Sequence, residues 1–200
     1  MRKALALLAV LGLTAGFFAA DAAADKEAGL NATCPVSGKP AVKEQSAKFR
    51  GKTVNFCCPN CKKAYTENRK KFTNAVYAQL LETKQITQVA CPLSGGPLNA
   101  DATVALGKTK VAFCCEKCQG KAKASDDVAG LVFASFDKGF TLQTTCPVSG
   151  KPIAIDKTAK HEGKTVYLCC PNCVKAFEAD PAKFVAKLPQ FAQPKKKAKK

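Results

Sequence analysis

Four cysteines recur at one spacing three times along the chain, and no other feature constrains the fold as much. The first copy runs Thr33-Cys34-Pro35-Val36-Ser37-Gly38-Lys39-Pro40, then through Gly51-Lys52-Thr53-Val54-Asn55-Phe56 into Cys57-Cys58-Pro59-Asn60-Cys61. The second has Cys91-Pro92-Leu93-Ser94-Gly95 and Phe113-Cys114-Cys115-Glu116-Lys117-Cys118. The third has Cys146-Pro147-Val148-Ser149-Gly150 and Cys169-Cys170-Pro171-Asn172-Cys173. From lone cysteine to pair the separation is 23 positions in every copy (34 to 57, 91 to 114, 146 to 169), and all 12 cysteines fall in the pattern. A repeat that keeps its thiol spacing while other positions drift is organised by the thiols. A unit of this length buries little apolar surface and needs a disulfide, a metal or a neighbour to be secure.

Each copy predicts a turn, a β-hairpin and an α-helix, an α+β unit, with a further helix between units. The strands are expected at 46–50 and 53–56, joined by a two-residue turn at Gly51-Lys52. Glycine at the first central position favours a type II′ turn, and Gly107-Lys108 and Gly163-Lys164 repeat it. A helix starts inside each Cys-x-x-Cys, where Pro59 and Pro171 suit a first turn. A second helix follows. In copy one it starts at Asn68 and runs to about Thr83, with Phe72, Val76 and Leu80 as its apolar stripe. In copy two Ser125 or Asp126 caps it, with Val128, Leu131 and Val132 inward. In copy three Asp180 caps it, with Phe184, Val185 and Leu188 inward. These stripes read as core. Copy two departs most: Gly96 stands at the position of Lys39 and Lys151, Glu116-Lys117 replaces Pro-Asn, and Ala122 replaces Tyr65 and Phe177. It reads as a degenerate unit holding a weaker site.

A turn cysteine folded back beside a cysteine pair at a helix start gathers soft ligands where the helix dipole favours thiolate charge. Thiolates select Zn(II), Cu(I) and other thiophilic ions over Mg(II) or Ca(II). All of Cys34, Cys57, Cys58, Cys61, Cys91, Cys114, Cys115, Cys118, Cys146, Cys169, Cys170 and Cys173 are therefore candidate ligands, with Zn(II) first and Cu(I) as the alternative cofactor.

The motifs Cys-Pro-Val-Ser-Gly, Gly-Lys-Thr-Val and Phe-Cys-Cys-Pro-Asn-Cys resemble the YHS and TRASH families of small metal-binding modules. So does Phe177-Glu178-Ala179-Asp180-Pro181-Ala182-Lys183-Phe184 in copy three. The resemblance covers most of the chain. It implies treble-clef-like units, a role in metal sensing, trafficking or resistance, and ligand trios Cys34/Cys57/Cys61, Cys91/Cys114/Cys118 and Cys146/Cys169/Cys173. This chain departs from the family in two ways. YHS modules place their turn cysteine where Ser37, Ser94 and Ser149 stand here, and Cys58, Cys115 and Cys170 lie outside the three-ligand pattern. These extra thiols either complete a closed four-thiolate site or stay free for exchange of a soft ion.

The resulting organisation is an export signal at 1–24, a linker at 25–32, modules at 33–89, 90–144 and 145–193, and a basic tail at 194–200. Arg2 and Lys3, the apolar run Ala4 to Ala20 and the small residues that follow read as a cleaved leader rather than an anchor, so the mature chain is expected in the periplasm or at a bacterial cell surface. The rival for exported cysteines is a disulfide-stapled interaction module. A second rival is a thiol–disulfide oxidoreductase using Cys58-Pro59-Asn60-Cys61, which lacks the surrounding βαβ pattern such enzymes carry. The formal charge of +17 favours anionic partners, here a cell-surface polymer reached through the Lys-rich tail, with nucleic acid and a transmembrane span not expected. His161 is the single histidine, with Phe49 and Ala105 in its place elsewhere, which excludes a role common to three sites. No Ser/His/Asp set, carboxylate pair or phosphate loop is present, and the chain reads as a binder, not an enzyme.

Overall fold

A computed structural model describes residues 30–191. The export signal, residues 25–29 of the linker and the basic tail lie outside the described residues. Within them the chain is a mixed α/β structure of short hairpins and helices, repeated three times. The first repeat contains β1 (Val42–Phe49), β2 (Lys52–Phe56), α1 (Pro59–Glu67) and α2 (Thr73–Glu82), and ends in the short strand β3 (Thr87–Gln88). The second contains β4 (Asn99–Leu106), β5 (Thr109–Phe113), α3 (Glu116–Lys123), α4 (Val128–Phe133), α5 (Phe136–Gly139) and β6 (Phe140–Thr141). The third contains β7 (Ala154–His161), β8 (Lys164–Leu168), α6 (Pro171–Ala179) and α7 (Ala182–Val185).

Each hairpin is a two-stranded antiparallel sheet with one bulge near the start of its first strand, between Val42 and Ser46, Asn99 and Thr103, and Ala154 and Thr158. The hairpins form where expected, but two turns differ. In copies one and three the central residues are Arg50-Gly51 and Glu162-Gly163, because Phe49 pairs with Lys52 and His161 with Lys164. Both residues of each pair have positive φ, the type I′ pattern, rather than the expected II′ at Gly51-Lys52 and Gly163-Lys164. Copy two keeps the expected turn: Leu106 pairs with Thr109, and of the two central residues only Gly107 has positive φ. The same register puts Leu106, not Ala105, at the position equivalent to His161.

The position of glycine within the turn has a visible cause in copy two. A Cβ at Gly107 would meet the Glu82 carboxylate of the first repeat, with which it would overlap. That carboxylate accepts from Lys108 N–H at 2.9 Å, so the turn is shaped to receive it.

The second helices also follow the sequence with small shifts. Asn68 closes α1, and its side chain accepts from Lys71 N–H at the start of a 3-10 turn (Lys70–Phe72) that leads into α2. Val76 and Leu80 are buried as the stripe required. The cap of α4 is Asp127, whose carboxylate accepts from Gly130 N–H at 2.7 Å, one or two residues beyond the expected Ser125 or Asp126. A carboxylate placed there reaches the third free amide of the helix, which the earlier residues do not. Asp180 closes α6 and Pro181, not Asp180, is the residue before α7; the Asp180 carboxylate still accepts from Lys183 N–H at 3.4 Å, and Phe184 and Leu188 are buried.

Two cores result. The first and second repeats share one, running from Val54, Phe56 and Tyr65 through Tyr77 and Leu80 to Phe113, Phe133, Phe136 and Phe140. The third has its own, built on Val166, Leu168, Phe177, Phe184 and Leu188. Among the described residues no helix is long and apolar enough to cross a membrane.

Candidate metal centres

Three peptide segments build each centre: the Cys-Pro turn, the end of the second hairpin strand, and the first turn of the following helix. The turn is the same in all copies. Cys34 N–H donates to Lys39 O at 2.7 Å and Gly38 N–H to Cys34 O at 2.9 Å; Cys91 and Cys146 make the equivalent pairs with Gly96 and Gly95, and with Lys151 and Gly150. Gly38, Gly95 and Gly150 take φ of +72°, +78° and +74°, which closes the loop back over the cysteine.

The sulfurs of Cys34, Cys57 and Cys61 then lie within 4.8 Å of one another, as do those of Cys91, Cys114 and Cys118 and those of Cys146, Cys169 and Cys173. Cys57 Sγ is 3.6 Å from Cys61 Sγ, with 3.7 and 3.6 Å at the second and third centres. Four-coordinate Zn(II) with Zn–S near 2.3 Å places its sulfurs about 3.8 Å apart, so the spacing fits a thiophilic ion. All 12 cysteines are free thiols. The second centre holds its sulfurs as closely as the others do. With Ala122 in place of an aromatic, α4 packs against α3 and the aromatic side chains come from Phe133, Phe136 and Phe140 instead.

Cys58, Cys115 and Cys170 stand one residue after the first sulfur of each pair and outside the mutual 4.8 Å groups. Each is the residue before the helix, in extended backbone with φ near −160°. Their sulfurs lie 3.7, 3.6 and 3.8 Å from those of Cys57, Cys114 and Cys169.

The buried lone cysteine is the acidic thiol of each trio. Burial raises its pKa, but the Ser37 hydroxyl and the N–H groups of Val36, Cys57 and Ser37 outweigh that and bring Cys34 down to about 7. The same balance, with Ser94 and Ser149, brings Cys91 and Cys146 to about 6. Burial, followed by the neighbouring thiols, pushes Cys61, Cys118 and Cys173 up to about 12. The backbone N–H of Cys61 and then the Cys61 and Cys57 thiols hold Cys58 below the ordinary thiol value, and Cys115 and Cys170 are lowered alike.

Two further sets of residues belong to the centres. Ser37, Ser94 and Ser149 hydroxyls lie 3.2, 3.1 and 3.1 Å from the sulfurs of Cys57, Cys114 and Cys169, tying the turn to the pair. Three glutamines, not anticipated from the sequence, clamp the two halves of each site together. Gln79 donates to Thr33 O at 2.8 Å and Asn55 O at 2.6 Å, and accepts from Asn55 N–H at 2.8 Å. Gln88 does the same between Ala90 O and both backbone groups of Ala112. Gln143 joins Thr145 O to both backbone groups of Tyr167. In every copy the clamp spans the residue before the lone cysteine and the residue two before the pair. A signal was present in copies two and three, where Gln88 and Gln143 each stand three residues before the lone cysteine. In copy one Asn31 occupies that place and Gln79, distant in sequence, takes over from α2.

His161 is not among the ligand groups. It ends β7 and packs edge-on against Phe177 at 6.0 Å and beside Phe191 at 5.5 Å.

No protein-family model matches the chain, and no curated protein or solved structure matches it significantly.

Proposed function

We propose that the protein is an exported, non-enzymatic binder of thiophilic ions, Zn(II) or Cu(I), taking one ion per module and buffering or handing it on outside the cytoplasm. The observation that carries this reading is the threefold gathering of three sulfurs within 4.8 Å by segments far apart in sequence. Disulfide staples do not require a third sulfur at that distance. The order of turn, hairpin and helix and the motifs quoted above support treble-clef-like modules related to the YHS and TRASH families. The leader-like first 24 residues support export, and the Lys-rich tail supports attachment to an anionic surface polymer. Among the described residues only Lys157–Asp156 pairs a lysine or arginine with a carboxylate, so most of the basic excess faces solvent or a partner.

The test is metal content and free-thiol count on mature protein produced through its own leader and purified without chelator. Three ions per chain, with thiols unreactive until a chelator is added, is the expected result. A chain that carries no stoichiometric metal and takes none up after reduction would overturn the proposal, and absence of free thiols would establish the disulfide-stapled rival.

A further inference from the structure

We infer that Cys58, Cys115 and Cys170 are exchange thiols, the outer sulfurs through which a soft ion enters and leaves each centre, and not its fourth ligands. The inference rests on the metal-binding reading above and assigns a route to it.

Three observations carry it. In every module the turn cysteine (Cys34, Cys91, Cys146) is buried and the outer cysteine is not: Cys58 and Cys170 are half-buried, as Cys57 and Cys169 are, and Cys115 is exposed. The outer sulfur lies outside the mutual 4.8 Å trio, so closing a four-thiolate shell would require the buried turn cysteine or the helix start to move. It is nevertheless within 3.6–3.8 Å of one trio member. An ion about 2.3 Å from Cys57 therefore reaches Cys58 without releasing Cys57. The arrangement is repeated in all three copies, although Pro59-Asn60 becomes Glu116-Lys117 in the second.

The step is a ligand substitution with no change of oxidation state. The ion arrives bound to a small-molecule thiolate or an exposed thiolate of a carrier. A bond from Cys58 Sγ to the ion forms as the donor's sulfur–metal bond breaks; the Cys58 proton goes to water and the donor leaves as its thiolate or thiol. Cys57 and Cys61 then bind and Cys34 completes the inner trio, the protons these thiols carry passing to water, and Cys58 dissociates and takes a proton back from water. Release reverses the sequence.

The experiment replaces the outer sulfurs alone, as Cys58→Ser, Cys115→Ser and Cys170→Ser together in the full chain. Serine is a favoured residue at the position before a helix, and the cysteines there make no side-chain cap bond that could be lost, so the substitution removes the soft donor alone. Protein loaded with Zn(II), and separately with Cu(I), is mixed with excess chromophoric chelator, pyridylazoresorcinol or bicinchoninate. The expected result is three ions retained and transfer slowed at least tenfold. Loss of the ions would make the outer sulfurs ligands, and an unchanged transfer rate would make them bystanders; either overturns the inference. If the triple variant fails to fold, Cys170→Ser alone decides, since the third module has its own core. One third of the ions should then leave slowly. A parental chain that binds neither ion would sink the metal reading itself, an outcome distinct from normal loading with unaltered exchange.

Discussion

At the scale of single residues, each trio holds thiols of opposite tendency. Cys34 near 7 and Cys61 near 12 differ because serine and backbone donors outweigh burial at the first, while burial and then the neighbouring thiols raise the second. In the metal-free protein the depressed Cys34, Cys91 and Cys146 lend stability that is present above the ordinary thiol value of 9.0 and is lost as pH falls through about 7 and 6. The raised Cys61, Cys118 and Cys173 act oppositely, lending stability below 9.0 that is lost as pH rises toward about 12. An ion must displace the proton of the raised thiol at any neutral pH, and that of the lone cysteine as well once the solution is more acidic than its pKa. The logarithm of ion affinity is therefore expected to rise with pH by at least one unit per pH unit above pH 7, steepening to at least two below pH 6. Competition titrations with a chelator of known proton affinity measure this. A slope that stays flat across pH 6 would show that the lone cysteine is not a ligand.

At the scale of elements, the repeat made hairpins, helices and cysteine trios legible because each depends on local spacing. Gly-Lys-Thr-Val and Cys-x-x-Cys announce a turn and a helix start whatever surrounds them. The shifts are local and small: the turns of copies one and three fall at Arg50-Gly51 and Glu162-Gly163, and Asp127 rather than Asp126 reaches the Gly130 amide. The glutamine clamps were hidden because each grips a strand residue 24 positions away, and a single polar side chain at that distance carries no periodicity. Gln143→Ala leaves both backbone groups of Tyr167 and the carbonyl of Thr145 without their side-chain partner, at a cost of about 1–3 kcal/mol in a buried setting. Because the clamp sets the distance between turn and pair, the third centre alone is expected to bind more weakly, by about tenfold, as 1.4 kcal/mol of the loss would give. Titration with a competing chelator should resolve two tight sites and one weak one. Three equivalent sites in the variant would mean that Gln143 only fills space.

At the scale of the whole molecule, the period alone implies three independent units, and the packing changes that expectation. Tyr77 of α2 stacks on Phe136 at 4.3 Å and meets Phe133 at 5.5 Å, while its hydroxyl accepts from Arg50 at 2.7 Å. Glu82 accepts from Thr33 N–H and hydroxyl at 2.8 and 3.1 Å, beside Cys34, and from Lys108 in the second hairpin. Strand β3, which precedes the second centre, pairs with β6. The first turn cysteine is thus one residue from a carboxylate that also holds the neighbouring repeat. Cys34→Ser is expected to remove one ion and to lower hydrogen-exchange protection through α2 into β4, β5 and α4, because the two repeats share a core and open together. Cys146→Ser should also remove one ion, with lost protection confined to residues 145–191, whose core is separate. Exchange mapped by mass spectrometry on the loaded chains distinguishes the patterns. If Cys34→Ser left the second hairpin fully protected, the shared aromatic cluster would not couple the repeats, and the first two centres would load as independently as the third.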